Sequence, residues 1–435
     1  MLNPMGTMKN LKTILRRKIP GWRKQVQEIL SAYPDVVISQ VTVQQLFKGL
    51  RNVPAVLCDT SFVDPQEGLI IRGVPVLELI DRSAEEIFFL LTSGEFPTPE
   101  ALHSLQTDLI NRREVPLYVW QLLESVPPDT HPMVMFSMAM LALQKESVFT
   151  NEYRKGLPRE AYWEATYEDA LNIIARLPVI AAGIYRQHIL GKDRLFSRPD
   201  LHTVANFAHL LGNTDPQFVD FMEKFFVVHS DHEGANASVF TSRVVNSSLS
   251  DLYYAISASM NSLAGPLHGL ANQESLSFVM HIYHHFRKVP KPEDLEAYIR
   301  EHLQSGKVIP GFGHAVLRNH DPRYLALHEL GSRICSDDPL FQIVSQLQTI
   351  VPRLLKEQGK ANNPYPNIDG ITGALLYHFG IKEKSFYTVL FSTAQVLGIC
   401  AQLIINQALM MPIFRPRSIT TEQLQQLVEP QKEGK

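Results

Sequence analysis

Apolar positions recur at helical spacing along most of this chain, and proline beside a capping residue interrupts them repeatedly. Residues Met8 to Tyr33 read as a helix with charged outer positions, and Leu11, Ile14, Leu15 and Ile19 mark its apolar face. From Val76 onward the pattern stays helical. Thr98-Pro99-Glu100, His131-Pro132, Asp215-Pro216, Lys291-Pro292-Glu293 and Asp338-Pro339 each open a new run. Proline suits a first helical turn because its missing N–H would have no intrahelical partner there. Arg159 to Tyr185 is one long periodic run. Further helices are expected up to His229, from Asp251 towards Leu263, and after Pro364-Tyr365-Pro366-Asn367. Only Ala55 to Pro75 reads as extended, with Asp64-Pro65-Gln66-Glu67-Gly68 as a turn, which predicts a short β-hairpin. The fold class is all-α with that minor hairpin, unlike the βαβ alternation of a nucleotide-binding sheet.

Ser385 to Phe414 contains no charged residue and is long enough to span a membrane, yet Gln395, Gln402, Asn406 and Gln407 interrupt it and Pro412 ends it. A buried core helix is expected, and no membrane. With 435 residues, 45% of them hydrophobic, the chain can bury a large core and form two domains. A net charge of −3 gives no basic field that would argue for nucleic acid. Cys58, Cys335 and Cys400 are far apart and form no CxxC pair, as in a reducing compartment. Lys9 to Lys24 is basic and amphipathic like a mitochondrial presequence, but it is short and contains Pro20. His229 and His232 flank Ser-Asp without the HExxH spacing or further ligands, so no metal is expected.

Four stretches carry candidate chemistry, one of them His229-Ser-Asp-His-Glu-Gly-Ala-Asn236, a polar cluster directly after the apolar Phe225-Phe-Val-Val228. In Asn261 to Gln273, Gly265-Pro266 stops one helix and a new run begins after His268. That places His268 near a helix N-terminus, where the dipole favours a neutral imidazole. A neutral imidazole can donate to a developing enolate oxygen, although a structural histidine at a helix start fits the same pattern. In Val308 to Arg318, Gly311 and Gly313 allow close approach of a ligand beside His314, but the third glycine and preceding strand of a nucleotide loop are missing. In Asn363 to Gly370, Asp369 sits at the start of an apolar run, as a helix-start residue or a base would. Proton abstraction beside a carbonyl needs a base, a donor for the enolate oxygen and an acid for the electrophile. Asp369, His268 and His314 have that chemistry if they converge, and Arg323 and Arg415 can grip carboxylates bidentately.

Together, His229-Ser-Asp-His232-Glu-Gly, Gly265-Pro-Leu-His268-Gly-Leu-Ala-Asn-Gln273, Pro310-Gly-Phe-Gly-His314-Ala-Val-Leu-Arg318, Asp321-Pro-Arg323-Tyr, Asn363-Pro-Tyr-Pro-Asn-Ile-Asp369 and Arg415-Pro-Arg-Ser418 resemble citrate synthase, in its larger, mitochondrial-like form also found in some bacteria. Glu67-Gly-Leu-Ile-Ile-Arg72-Gly and His131-Pro-Met133 also match, so the resemblance covers nearly the whole chain. It implies an almost all-α homodimer, with residues 1–271 and 385–435 as a large domain and 272–384 as a small mobile one. It implies condensation of acetyl-CoA with oxaloacetate to citrate and CoA through an enolate and citryl-CoA, with no cofactor. Asp369 would remove the methyl proton, His268 would hold the thioester oxygen, and His314 would polarise and protonate the oxaloacetate ketone. His232, Arg323 and the position of Gln395 match oxaloacetate-binding residues, and Arg415 matches one supplied by the other subunit. Arg51, Arg159 and Arg318 match arginines that meet CoA phosphates, and Lys360 lies in the same region.

Leu11 onward aligns with the start of the mature family chain, which implies a cytoplasmic bacterial enzyme, with the mitochondrial matrix as the alternative. The chain departs from the family in several places. Gln395 stands where an arginine is usual, Asn362 where close relatives have lysine, and Ala235 and Phe240 where glycine and histidine are usual. Glutamine cannot supply a charge-assisted bond, so oxaloacetate use roughly tenfold to thirtyfold weaker is expected, with Gln395→Arg improving it. A 2-methylcitrate synthase or related condensing enzyme is the alternative, and a non-catalytic binding dimer the second.

Overall fold

The computed structural model describes residues 10–359 and 363–429. Its organising element is the helix Tyr387–Ala408, packed against the helices Tyr162–Ile184, Ala84–Ser93, Pro216–His229, Ala237–Ser247 and Leu252–Leu263. This is the charge-free stretch of membrane-spanning length, and 94% of its most apolar window is buried inside the protein. Its polar side chains are used by neighbouring helices. Gln402 Nε2 donates to Asp231 at 2.8 Å, Gln402 Oε1 accepts from Arg243 at 3.0 Å, and Gln407 Nε2 donates to Asn246 at 2.9 Å. Buried amides are tolerated because they are paired in this way.

The proline signals mark helix starts with their caps. Asp215, Asp251 and Asp338 each accept backbone N–H groups of the first turn, with proline at the first helical position after Asp215 and Asp338. Leu11–Ala32 runs straight through Pro20, and the expected start at Met8 lies outside the described residues. The run from Arg159 resolves into a 3₁₀ turn, the helix Tyr162–Ile184 and a π-helical end at Tyr185–Ile189.

The extended region is shorter than expected at its start and carries one strand more. β1 (Ser61–Asp64), β2 (Gly68–Ile71) and β3 (Val74–Pro75) form an antiparallel sheet with Ser61 opposite Ile71 and Asp64 opposite Gly68. Asp64 Oδ1 accepts from Gln66 and Glu67 and closes the turn. At Gly68, φ is +84°, and a Cβ there would lie 2.5 Å from Pro322 Cδ. Pro65 O also accepts from Arg318 N at 2.7 Å. The hairpin therefore buttresses the loop that carries His314 and Arg318 and the start of the Pro322–Ile334 helix, which carries Arg323.

The helices Ala271–Phe286, Pro292–Gln304, Pro322–Ile334, Pro339–Gln358 and Asp369–His378 pack on one another. The Pro322–Ile334 helix also touches Pro216–His229, so this group meets the rest of the chain close to His229.

Candidate active site

One wall of the site grows from the end of the Pro216–His229 helix. Asp231 is 1% exposed and accepts from the hydroxyls of Thr60 at 2.5 Å and Ser61 at 3.0 Å as well as from Gln402. Anchored there, the loop presents His229 and His232 to a cavity. His229 donates its Nδ1–H to the Phe225 carbonyl at 2.8 Å. His232 has a buried Nδ1 with no hydrogen-bond partner among the described residues. Burial pushes both imidazoles down to about 3, so both are neutral at physiological pH.

His268 completes that wall. The helix begins at Ala271, so His268 and Pro266 lie in the turn before it rather than in its first turn. The reason is a tight reversal. Gly265 O accepts from His268 N and Gly269 N, and a Cβ on Gly269 would collide with the Leu263 carbonyl oxygen. Burial lowers the His268 pKa. Its Nε2 accepts the Ser238 backbone N–H at 3.2 Å. Nε2 is therefore unprotonated and the proton of the neutral ring sits on Nδ1.

The opposite wall joins two loops. Gly311 and Gly313 have φ of +80° and +88°. A Cβ on Gly311 would lie 2.6 Å from Gly370 Cα, so this glycine admits the neighbouring backbone and not a ligand as its sequence context suggested. Gly313 N donates to Tyr365 O, and Asn367 donates to Gly311 O through its backbone N–H and to Gly313 O through its side chain. His314 Nδ1 accepts the backbone N–H groups of Val316 and Leu317, each at 3.0 Å, which leaves Nε2–H as the donor. Burial, with help from Arg323, lowers its pKa to about 4.

Asp369 is the first residue of the Asp369–His378 helix, and Asn367 Oδ1 accepts its backbone N–H at 3.0 Å. The capping role that competes with catalysis at this position thus belongs to Asn367. No hydrogen bond reaches the Asp369 carboxylate among the described residues. Burial raises its pKa to about 6; Arg323 opposes the shift and Asp321 adds to it. A carboxylate poised near neutrality suits a general base. Arg323 and Asp321, 6% and 1% exposed, form a two-pronged ion pair with Nε–Oδ1 at 3.0 Å and Nη2–Oδ2 at 2.9 Å. Nη1 of Arg323 has no protein partner among the described residues and so remains available to an anion.

His232, His268, His314, Arg323 and Asp369 all line one cavity of about 180 Å³, and the His232 and His314 rings are 6.0 Å apart. Pockets for drug-sized ligands measure roughly 300–1,000 Å³. At about 180 Å³ the cavity is below that range, a size for a small molecule and not for a whole nucleotide-bearing one.

The other expected residues lie elsewhere. Gln395 is not on the cavity wall: it is 1% exposed and its amide faces Ser238, behind His268. Its short neutral side chain finds a buried hydroxyl before it reaches the cavity. Arg415 is exposed and borders a separate groove with Phe240, whose ring meets Phe414 edge-on at 5.1 Å. Arg318 is exposed next to the site, and its Nη1 binds the carbonyls of Ala315, Val316 and Leu317. Arg51 and Arg159 are exposed and outside the cavity wall, Arg159 donating to Met410 O at 2.8 Å. Lys360 and Asn362 lie outside the described residues. Sequence reasoning did not assign roles to His229, Asn236, Asn272 and Tyr387, which also line the cavity. For His229 and Asn236 the signal was present, in the polar cluster after Phe225-Phe-Val-Val228.

Among known families, the one described as citrate synthase, C-terminal domain, matches residues 49–417. The chain is 41% identical to "Citrate synthase 4, mitochondrial" of Arabidopsis thaliana over 426 residues, which is 96% of this chain and 90% of that protein. It is 40% identical to "Citrate synthase, mitochondrial" of Xiphias gladius over 437 residues, 98% of this chain and 93% of that one. The crystal structure of citrate synthase from Pyrobaculum aerophilum superposes with a TM-score of 0.77 at 27% identity, covering 86% of this chain and 95% of that one. Motifs, all-α fold, cavity and relatives agree, and the chain belongs to the citrate synthase family.

Proposed function

We propose that the chain condenses acetyl-CoA with oxaloacetate to give citrate and CoA, using side chains alone and no cofactor. One observation carries the reading: a buried carboxylate without a hydrogen bond shares a cavity with two neutral histidines whose other nitrogens are pinned by backbone N–H groups. Asp369 takes a proton from the acetyl methyl group, and His268 Nδ1–H holds the thioester oxygen as it becomes an enolate oxygen. The enolate carbon attacks the oxaloacetate ketone, and His314 Nε2–H hydrogen-bonds and then protonates that oxygen. Hydrolysis of the citryl-CoA so formed releases CoA. Arg323 Nη1 and His232 hold oxaloacetate, and Arg318 with Arg51, Arg159 and Lys360 meets the CoA phosphates.

The proposed mobile unit is residues 272–384, working against 1–271 with 385–435. Mutual packing of the helices between 271 and 378 supports that division. Closure on oxaloacetate would exclude water and complete the acetyl-CoA site. The protein works as a homodimer in which Arg415 reaches the partner's cavity, a reading supported by its exposed position away from its own. The two curated relatives are both named mitochondrial, which supports the matrix over the bacterial cytoplasm expected above.

The test is thiol release by the purified protein, with acetyl-CoA or propionyl-CoA against several 2-oxo acids. Release with acetyl-CoA and oxaloacetate as the best pair is expected. A preference for propionyl-CoA makes it a 2-methylcitrate synthase, and no release from folded protein with any pair makes it a binding dimer.

A further inference from the structure

Gln395 occupies a position whose chemistry the cavity does not explain. Ser238 is fully buried, and its hydroxyl lies 2.8 Å from Asn236 Oδ1, 3.0 Å from Gln395 Oε1 and 3.0 Å from His268 Nε2. His268 Nε2 already accepts the Ser238 backbone N–H, so it is an acceptor. As oriented, all three neighbours are acceptors for a hydroxyl that has one hydrogen, and Gln395 Nε2 is left buried with no partner. Exchanging the isosteric amide oxygen and nitrogen of both Gln395 and Asn236 removes the conflict, leaving His268 Nε2 as the one acceptor beside the hydroxyl. The Gln395 amide N–H then donates to Ser238 Oγ, and the hydroxyl hydrogen is free for His268 Nε2.

We infer that Gln395 is a positioning residue for His268: its amide donates to Ser238 Oγ, turns the Ser238 hydroxyl onto His268 Nε2, and so keeps the histidine proton on Nδ1. Two donors converging on Nε2 disfavour both the other tautomer and the imidazolium, each of which would bring a second proton into that space. The glutamine acts on the enolate-stabilising donor from behind and does not bind the oxaloacetate carboxylate. This rests on the proposed condensation, in which His268 holds the thioester oxygen.

The experiment compares wild type with Gln395→Met, of similar length but without a donor, and Gln395→Glu, of similar shape and acceptor-only when ionised. Steady-state kinetics for both substrates accompany ¹⁵N NMR of the His268 ring, and the Met change is repeated in a Ser238→Ala background. Expected are a kcat lower by roughly tenfold in both single variants, about one neutral hydrogen bond. The KM for oxaloacetate should stay within about twofold, as for a residue that makes no ground-state contact with that substrate. The Nδ1–H tautomer should lose population, and Gln395→Met should have no further effect when Ser238 is absent. A raised oxaloacetate KM at unchanged kcat overturns the proposal and restores Gln395 as a carboxylate ligand. Undiminished kcat in Gln395→Glu overturns the donor direction, and full additivity with Ser238→Ala overturns the route. If wild type itself releases no CoA, the condensation reading fails first, and the ring tautomer still reports on Gln395.

Discussion

Replacing Asp369 by asparagine should strengthen the fold and abolish the reaction. Burial holds the carboxyl near a pKa of about 6, with Arg323 pulling down and Asp321 pushing up. An unfolded aspartate titrates near 4. An acid whose folded pKa is raised costs nothing while both states are protonated, below about pH 4. The cost grows as pH climbs towards 6 and is constant above it. Two units at about 1.4 kcal/mol each set a ceiling of about 3 kcal/mol, and contact with solvent in the cavity lowers that to roughly 1–2 kcal/mol. The neutral amide escapes this cost at every pH, and it cannot accept the methyl proton. Thermal unfolding of both proteins should coincide near pH 4 and separate by a few degrees, variant above wild type, by about pH 7. The other titrating groups are shared and cancel in the difference. A gap that does not change with pH, or a variant less stable than wild type at neutral pH, refutes the reasoning. Near-normal CoA release by the variant removes Asp369 as the base.

Asp321→Asn removes a charge that raises the Asp369 pKa and frees Arg323 to lower it further. The acid limb of kcat/KM for acetyl-CoA, near 6 or above in wild type at saturating oxaloacetate, should therefore move to lower pH; a limb that stays or rises opposes this. The same variant should lose roughly 3–5 kcal/mol of stability, because the Arg323 charge is left buried without its partner; an unchanged melting temperature contradicts that. His314→Gln should lower kcat by roughly 10²–10⁴ with an intact circular dichroism spectrum, and a loss below tenfold excludes it as the proton donor. Refolding a mixture of Arg415→Ala and Asp369→Asn chains should recover about a quarter of wild-type activity, since half of the dimers then hold one complete site; no recovery places Arg415 outside the partner's cavity.

Local physics made part of this molecule legible. Aspartate before proline predicted helix starts at Asp215 and Asp338, and both carboxylates cap first turns there. The long uncharged stretch was a core helix because its glutamines find partners on neighbouring elements, and its sequence already showed those interruptions. His268, His314, Arg323 and Asp369 were identified by motif, but their convergence depends on contacts across more than a hundred positions, which no local pattern encodes. Pro266 misled for a local reason: the chain reverses tightly there against Leu263 before the next helix begins. The roles of Asn367, which frees Asp369 from capping, and of Ser238, which fixes the His268 tautomer, follow from hydrogen bonds and not from composition. For Gln395 the sequence showed a position, while the direction of its amide, towards Ser238, follows only from the structure.

The cross-links between the His314 loop and the Asp369 segment have a kinematic consequence. Gly313 to Tyr365, Asn367 to Gly311 and Gly313, and Asn363 to Leu317 and Asn319 lash the two loops into one cassette. His314 and Asp369 then cannot drift apart independently; in the proposed domain movement they would leave His232 and His268 together. Freezing each separately moving side chain on binding would cost about 0.5–1.5 kcal/mol. Because folding has already removed those freedoms, the proposed closure would leave a substrate a single joint to lock.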